Sequence, residues 1–232
     1  MIKKFIKKML FGFSEYIPSF SIGAEDLVLM HLLQDMQSGF YVDIGAFHPE
    51  KHSNTFALYR YGWSGINIDA MPGVMQEFSK QRPRDINLEI GVAEKEGMLD
   101  FFIDSENGLF NGFDNSFQKT LTSHNVKKVS VKTKPLAQIL VENLPKNRGV
   151  DLLMVDVEGL ELTVLASNNW EKFRPRVILI EDFTSFVDEL PANPCVQFLL
   201  SKGYRVLHKT PNGIIFLENS NKLTKFNRLI PN

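Results

Sequence analysis

Acidic side chains follow four apolar runs of this chain, each at the point where the run ends. They are Asp43, Asp69, the pair Asp156 and Glu158, and the pair Glu181 and Asp182. Because the carboxyl ends of parallel strands open on one edge of a sheet, we expect these acids to meet in one crevice. Carboxylates held close together repel one another unless a cation or hydrogen-bond donors compensate their charge. The pattern therefore predicts a polar site that holds one of these two kinds of partner.

A glycine turn ends the first of these runs, in the sequence FYVDIGA at residues 40–46. Gly45 permits a tight turn, and the small side chain of Ala46 keeps the backbone accessible to a ligand. Asp69 lies 24 residues beyond Gly45, at the end of the second run. An acid at about this spacing usually accepts hydrogen bonds from the hydroxyls of a ribose. Together these residues favour an adenosine-containing ligand.

The residues after this turn distinguish two such ligands. A dinucleotide turn continues toward further glycines, because a pyrophosphate needs close backbone approach at a helix N-terminus. This chain has Phe47, His48 and Pro49 instead. S-adenosylmethionine has no phosphate and carries a sulfonium cation, so it tolerates bulk at the turn and favours acids around it. The sequence therefore predicts S-adenosylmethionine as the cofactor.

The acids must be positioned by a sheet, and the chain has the pattern of a parallel α/β protein. Short apolar runs alternate with segments of helical periodicity. The predicted strands are GFYVDIG, SGINIDA, DINLEIGVA, VDLLMVDVEG, RPRVILIEDF, YRVLHK and IIFLEN. The predicted helices are residues 24–36 and the segments SNTFALYRYG, PGVMQEFSKQ, PLAQILVENL, LELTVLASNNW and PCVQFLLSKG. A tight turn at Asn212-Gly213 joins the last two strands, which predicts a closing antiparallel hairpin.

The middle of the chain departs from this alternation. GMLDFFID and VKKVSVKT both have strand character, and they flank a long segment rich in Gly, Asn and Ser. A loop of that length inside a compact domain is usually functional. We predict a hairpin-like insertion over residues 97–133 that places a lid over the site.

Two blocks of the sequence, within residues 20–185, resemble the FkbM-type S-adenosylmethionine-dependent methyltransferases, in particular members associated with glycan and polysaccharide biosynthesis. The resemblance is carried by the motifs GAEDLVL, SNT, GW-x-GINIDA, RP-x-DINL and DVEG-x-E. It implies an α/β protein with the Rossmann-like class I methyltransferase fold. Such a fold has a mostly parallel seven-stranded sheet, helices on both faces and a C-terminal antiparallel hairpin.

The resemblance also implies which residues bind the cofactor. Asp43, Gly45 and Ala46 are expected to flank the methionine part of S-adenosylmethionine. Asp69 is expected to hold the ribose, and Glu25 to approach the cofactor as well. The complete set assigned to the cofactor is Glu25, Asp43, Gly45, Ala46, Asn54, Thr55, Asp69 and Ala70.

Methyl transfer to a hydroxyl needs a base or a Lewis acid, because an alcohol is a poor nucleophile. In one arrangement His48 is the general base, since an imidazole titrates near neutral pH, and Asp156 or Glu158 orients its ring. In the other, Asp156, Glu181 and Asp182 hold a divalent cation such as Mg²⁺ or Mn²⁺. That second arrangement resembles the metal-dependent catechol-type methyltransferases. The two arrangements are compatible, and the sequence leaves both open.

These residues and the resemblance predict an S-adenosylmethionine-dependent O-methyltransferase that acts on a hydroxyl of a sugar, sugar nucleotide or glycan in surface polysaccharide biosynthesis. A nucleotide-sugar oxidoreductase or epimerase with a Rossmann fold is the first alternative. The missing later glycines and the lack of a Tyr-x-x-x-Lys pair argue against it. A non-catalytic partner protein that kept the methyltransferase fold is the second alternative.

Composition limits the location and the partners. The net charge of -1 gives no argument for nucleic acid, and a single cysteine, Cys195, fits a reducing cytoplasm. Residues 1–20 form a basic leader, in which the apolar residues of 1–13 recur at helical spacing opposite four lysines. We therefore expect a cytoplasmic protein with peripheral membrane contact through that segment. The methyltransferase domain is expected over residues 21–218, followed by a tail over 219–232.

Overall fold

The computed structural model describes residues 18–104, 111–113 and 126–220. The predicted amphipathic segment 1–13, most of the predicted lid and most of the C-terminal tail lie outside these residues. Within the described part of the chain, no helix is long and apolar enough to cross a membrane.

The described residues contain ten strands, and seven of them form the main sheet. The strands in chain order are β1 (Phe40–Ile44), β2 (Ser64–Asp69), β3 (Ile86–Glu89), β4 (Gly91–Val92), β5 (Gly97–Asp104), β6 (Val126–Lys134), β7 (Leu152–Val155), β8 (Val177–Glu181), β9 (Tyr204–Thr210) and β10 (Gly213–Glu218). The main sheet has the order β3-β2-β1-β7-β8-β10-β9. Its first five strands are parallel, whereas β10 runs antiparallel to both β8 and β9. The predicted mostly parallel sheet with a closing hairpin is confirmed.

The strand order reverses beside β1. Strands β2 and β3 lie on one side of β1, whereas β7 and β8 lie on the other. In an open α/β sheet a crevice opens at this switch point, outside the carboxyl ends of the strands, and ligands bind there. Asp43 belongs to β1 and Asp156 directly follows β7, so these two acids come from the strands that border the crevice.

Helices cover both faces of this sheet. They are α1 (Glu25–Leu32), α2 (Phe56–Arg60), α3 (Val74–Gln81), α4 (Leu136–Asn143), α5 (Glu161–Ala166) and α6 (Pro194–Ser201), with a 3₁₀ helix at Val187–Ala192. Successive strand residues point to opposite faces, so Val42 packs in a core with α4, α5 and α6, and Tyr41 packs in a core with α1 and α2. The central strands β1, β7 and β8 are therefore mostly apolar, as a sheet buried on both faces requires.

A second, three-stranded sheet corrects the prediction of the third strand. The sequence predicts one strand over DINLEIGVA, but β3 ends at Glu89 and β4 belongs to a sheet of order β4-β6-β5. The chain leaves the main sheet there because the insertion supplies β4 with a new partner strand, β6. Strands β5 and β6 pair antiparallel, which confirms the predicted hairpin. Gly112 exchanges two backbone hydrogen bonds with Phe102, at 2.9 and 3.1 Å, and so joins residues 111–113 to this sheet.

Candidate active site

A cavity of about 520 Å³ opens at the carboxyl ends of β1, β2, β7 and β8. The predicted cofactor residues that line it are Glu25, Asp43, Gly45, Ala46, Asn54, Asp69 and Ala70. The predicted catalytic and metal-binding residues that line it are Asp156, Glu158 and Glu181. Thr55, His48 and Asp182 do not contribute to its wall. The structure thus brings together the strand-end acids apart from Asp182.

The turn after β1 forms the floor of the cavity. Gly45 has a φ of +79°, and a Cβ at this position would lie 1.6 Å from the carbonyl oxygen of Asp156. Only glycine fits this close approach between the ends of β1 and β7. The amides of Gly45 and Ala46 donate to the carbonyl oxygen of Ile68, at 2.9 and 3.2 Å. These contacts hold the turn against both neighbouring strands.

The carboxylate of Asp69 is held by two backbone amides. Oδ2 accepts from the amide of Phe47 at 2.8 Å, and Oδ1 accepts from the amide of Met71 at 2.7 Å. Burial raises the pKa of Asp69, whereas these two hydrogen bonds oppose that rise. Each oxygen keeps a second lone pair, so the carboxylate can still accept hydrogen bonds from two hydroxyls of a ligand.

Asp43 is held by a network that sequence reasoning missed. Its Oδ2 accepts a hydrogen bond of 2.5 Å from the hydroxyl of Thr55. Thr55, which the resemblance assigns to the cofactor, is fully buried and does not line the cavity; its hydroxyl supports the Asp43 carboxylate. The same hydroxyl accepts from Nη1 of Arg82 at 2.8 Å. Arg82 is the first residue of the motif RP-x-DINL, and that motif was the available signal for its importance.

Glu25 and Asn54 form another part of the wall. Glu25 is 3 % exposed, and its carboxylate accepts from the hydroxyl of Thr210 at 2.8 Å and the amide of Gly23 at 2.9 Å. The Oδ1 atom of Asn54 is buried and has no hydrogen-bond partner among the described residues. A buried acceptor without a donor is costly, so this atom is available for a donor on a ligand.

An apolar wall of the cavity is shared between the segment around β4 and the insertion. Ile90 and Val92 come from the first, Phe101 and Phe113 come from the second, and Met71 also lines this wall. The rings of Phe101 and Phe113 meet edge to face, with their centroids 5.0 Å apart. An apolar slot of this kind suits a flat heteroaromatic base.

Three carboxyl groups converge in the cavity where strands β7 and β8 end. Oxygen atoms of Asp156, Glu158 and Glu181 all lie within 4.8 Å of one another, and we call these residues the carboxyl cluster. Burial, with the charges of Asp156 and Glu161, raises the pKa of Glu158 to about 7. Burial, with the charges of Glu161 and Asp43, raises the pKa of Asp156, whereas its hydrogen bond with Glu181 opposes that rise. Burial, with the charges of Asp156 and Glu158, raises the pKa of Glu181. The cluster therefore holds protons near neutral pH or requires a cation.

The chain after β7 orients the cluster. Glu161, at the start of α5, accepts hydrogen bonds from the amides of Val157 and Gly159, each at 3.1 Å. Glu158 lies between these two residues and has a φ of +55°, a left-handed conformation that few non-glycine residues adopt. This tight loop is what places Glu158 beside Asp156.

Asp182, a predicted metal ligand, has a structural environment instead. Its carboxylate accepts from the amide of Thr184 at 2.9 Å and from Nδ2 of Asn193 at 2.6 Å. It also forms an ion pair of 3.5 Å with Nζ of Lys209. These contacts tie the segment after β8 to α6 and β9. Glu158 takes the place predicted for Asp182 in the group of three acids.

His48, the predicted general base, is engaged in the loop after β1. Its Nδ1 accepts from the amides of Glu50 and Lys51, each at 3.0 Å. An Nδ1 that accepts hydrogen bonds leaves the proton of a neutral imidazole on Nε2. The ring thus caps its own loop, and it does not line the cavity where the carboxyl cluster lies.

The strand order and the cavity at its switch point define a Rossmann-like methyltransferase fold. The family model described as the methyltransferase FkbM domain matches residues 43–206, which is well over half of the chain. The chain therefore belongs to the FkbM methyltransferase family. This membership supports S-adenosylmethionine as the methyl donor. The family model does not specify the methyl acceptor, so a role in glycan biosynthesis stays a proposal.

Solved structures show more distant likeness. A precorrin-6y C5,15-methyltransferase from Geobacter metallireducens GS-15 matches with 13 % identity and a TM-score of 0.45, over 84 % of this chain and 88 % of that one. An O-methyltransferase from Bacillus cereus in complex with SAH matches with 12 % identity and a TM-score of 0.38, over 86 % of this chain and 82 % of that one. No curated protein sequence matches this chain.

The residues of the cavity fit S-adenosylmethionine. The unpartnered Oδ1 of Asn54 is available to an ammonium donor, the Asp69 carboxylate to ribose hydroxyls, and the apolar wall to adenine. Five further acids line the cavity, namely Glu25, Asp43, Asp156, Glu158 and Glu181. This set suits a sulfonium cation and would repel a pyrophosphate. The dinucleotide-binding alternative is therefore disfavoured by charge as well as by the missing glycines.

Proposed function

We propose that the protein is an O-methyltransferase that transfers a methyl group from S-adenosylmethionine to a hydroxyl of a sugar, sugar nucleotide or glycan in surface polysaccharide biosynthesis. One observation carries this proposal. The carboxyl cluster lies in the same cavity as Asp43 and Asp69, so groups able to activate a hydroxyl adjoin groups suited to the cofactor.

The carboxyl cluster is proposed to receive the proton of the acceptor hydroxyl. S-adenosylmethionine supplies an electrophilic methyl group on a sulfonium centre, so the acceptor oxygen must lose its proton as it is methylated. A base is most effective when its pKa lies near the working pH, and the raised pKa of Glu158, about 7, meets this condition. Asp156 and Glu181 hold their shared proton and orient the acceptor. The cluster replaces His48 in this role.

A divalent cation in the same cluster is the alternative form of this mechanism. Three convergent carboxylates offer the hard oxygen ligands that Mg²⁺ and Mn²⁺ prefer, and within the described residues no side-chain cation contacts them. A cation held there would supply a Lewis acid for the acceptor oxygen. The ligand set is then Asp156, Glu158 and Glu181, without Asp182.

The mouth of the cavity supports an acceptor that has apolar faces as well as hydroxyls. Phe183 is 65 % exposed and Ile22 is 71 % exposed, although both line the cavity. Exposed apolar side chains at the edge of a polar cleft usually mark a ligand-binding surface. The C–H faces of a sugar ring fit such side chains, while its hydroxyls fit the carboxyl cluster.

Two measurements test this function. Calorimetry with S-adenosylmethionine and its demethylated product should show binding, and incubation of labelled cofactor with a panel of sugar nucleotides and acceptor glycans should yield a methyl ether. Failure to bind the cofactor would contradict the proposal. Transfer to nitrogen or carbon would refute O-methylation. Cofactor binding without turnover on any acceptor would favour the non-catalytic partner.

The cation is tested by exhaustive chelation followed by return of Mg²⁺ or Mn²⁺. If the cation acts, activity is lost and then restored, and the added cation raises the melting temperature of the unaltered protein but not of Glu181→Gln. Full activity after chelation would leave Glu158 as the base.

Peripheral membrane contact through residues 1–13 is proposed on the sequence alone. Deletion of these residues should weaken binding to anionic vesicles and leave the affinity for S-adenosylmethionine unchanged. Unaltered partitioning into the vesicle pellet would refute the contact.

A further inference from the structure

We propose that Arg82 and Thr55 are positioning residues for the cofactor, because together they fix the carboxylate of Asp43 at the cavity wall and favour its ionised form. This inference deepens the proposed function and depends on S-adenosylmethionine as the ligand of the cavity. Neither residue lines the cavity, so both act through Asp43.

The hydrogen bonds of Thr55 have a fixed direction. Its Oγ1 lies 2.8 Å from Nη1 of Arg82 and 2.5 Å from Oδ2 of Asp43. A guanidinium can only donate, so Oγ1 accepts from Arg82. The single proton of Thr55 goes to Asp43 at 2.5 Å, because the other oxygen near Oγ1, that of the Ser53 hydroxyl, lies 3.5 Å away. A carboxylate that receives this proton can only accept at that oxygen. The chain of donors therefore favours the ionised form of Asp43.

Arg82 is itself held rigidly. It is fully buried, and its Nε and Nη2 atoms donate to the carbonyl of Pro49 at 2.7 Å and to the hydroxyl of Ser53 at 2.6 Å. Its guanidinium also lies 5.3 Å from the ring centroids of Phe56 and Phe78. These contacts fix the donor that faces Thr55.

The charge of Arg82 has no direct ion pair within the described residues. A buried charge without compensation is strongly unfavourable, so a counter-charge is expected nearby. Asp43 and Asp85 are the acids whose charges Arg82 stabilises, and Asp43 is the one at the cavity. Burial raises the pKa of Asp43, whereas Thr55 and Arg82 oppose that rise. Thr55 thus transmits the influence of a buried cation to the cofactor site.

An ionised Asp43 favours a cationic ligand, and S-adenosylmethionine carries positive charge on its sulfonium and its ammonium. The network is therefore expected to set affinity for the cofactor and to leave the chemical step to the carboxyl cluster. A purely structural role for Arg82, as the fastener of the loop after β1, would change stability without changing affinity in the folded protein.

The test compares Thr55→Val with Thr55→Ser, because replacement of Arg82 itself risks misfolding. Valine keeps the shape of threonine and removes the hydroxyl. We expect calorimetry to show S-adenosylmethionine binding weakened about tenfold or more in Thr55→Val, the size of effect typical for a lost hydrogen bond to a charged group. Thr55→Ser should restore most of the affinity. In assays, KM for the cofactor should rise while kcat changes little.

Thr133→Val is the matched control, since Thr133 is also buried and its hydroxyl bonds to the carbonyl of Lys95 in the second sheet. This variant should bind the cofactor with unchanged affinity. An unchanged affinity in folded Thr55→Val would overturn the proposal.

A double-mutant cycle with Asp43→Asn separates the two possible routes of action. If Thr55 acts through Asp43, Thr55→Val adds little further loss once residue 43 has no charge. An equal loss in both backgrounds would show that Thr55 acts through the loop, and would refute the positioning role. Binding of S-adenosylmethionine to the unaltered protein is measured first, so failure of the proposed function is recognised before any variant is compared.

Discussion

Two sets of carboxyl groups line the same cavity, and they differ in what surrounds them. Asp43 and Asp69 each accept hydrogen bonds, from Thr55 in one case and from two backbone amides in the other. The carboxyl cluster receives no hydrogen bond from an N–H group within the described residues, and burial with neighbouring carboxylates raises the pKa of each of its members. Burial raises the pKa of Asp43 and Asp69 too, but there the hydrogen-bond donors oppose the rise and favour the charged form that suits binding of a cationic ligand. The cluster, which has no such donors, takes up protons or a cation, and this suits chemistry.

The largest effect is expected from Asp156→Asn, which disrupts the carboxyl cluster. We expect kcat to fall roughly 100-fold or more, because the acceptor hydroxyl is no longer oriented toward the base Glu158, with the affinity for S-adenosylmethionine within about threefold. Steady-state kinetics and calorimetry measure the two quantities.

Asp182→Asn is the matched control for Asp156→Asn, because Asp182 follows β8 but is bonded to Asn193 and Lys209. Its kcat should stay close to that of the unaltered protein. A similar loss in both variants would show that the cluster has no special role.

The second effect is expected from Asp69→Ala, at the end of β2. Removal of the carboxylate should weaken S-adenosylmethionine binding about tenfold or more, because two acceptor oxygens are lost. At saturating cofactor, turnover should be close to normal. Asp69→Asn keeps one acceptor oxygen, so its affinity for S-adenosylmethionine should lie between that of Asp69→Ala and that of the unaltered protein. A large fall in kcat with unchanged affinity would show that Asp69 acts in the chemical step and not in cofactor binding.

A smaller effect concerns pH and stability. Glu158 has an ordinary pKa of 4.5 when unfolded and about 7 when folded, so the folded state binds its proton more tightly. The stability that this proton provides is complete below pH 4.5 and is lost as the pH rises through about 7. The melting temperature of the cation-free protein should therefore fall between pH 5 and pH 8.

Glu158→Gln should reduce that fall by about 2 °C or more in thermal melts. Other buried acids with raised pKa values, such as Asp85 and Asp151, leave part of the slope in place. Glu94→Gln, at an exposed glutamate, is the control. An identical slope in Glu158→Gln and the unaltered protein would contradict the raised pKa.

The smallest effect is expected from His48→Asn. Asparagine offers an acceptor close to the position of Nδ1, so the amides of Glu50 and Lys51 keep a partner. We expect kcat to stay within about threefold of normal in the methyl-transfer assay. A loss near 100-fold would restore His48 as the general base.

The sequence predicted the sheet and the convergence of acids well, for one physical reason. Parallel strands place their carboxyl ends on one edge, so apolar runs that end in Asp43, Asp69 and Asp156 specify a shared crevice without further information. The sequence was less able to choose between Glu181 and Asp182. Neighbouring residues at a strand end point to opposite sides, and the spacing alone does not reveal which one faces the cavity.

Contacts between distant segments were the part that sequence could not supply. Arg82 lies far from Asp43 along the chain, and its role depends on burial and on hydrogen bonds to Thr55 that no local pattern encodes. The motif RP-x-DINL marked the residue but not its partner. Likewise the strand over DINLEIGVA was divided after Glu89, because β6 supplied a partner that lies about forty residues away in the chain.

The conformation of Glu158 has an evolutionary consequence. A side chain at a φ of +55° costs about 1 kcal/mol relative to glycine, and this one also carries a carboxyl group withdrawn from water. Glu158→Gly would relieve both penalties, and we expect it to unfold at a higher temperature than the unaltered protein. Selection for thermal stability alone would therefore favour glycine at position 158. The presence of glutamate indicates that this position is selected for a property other than stability.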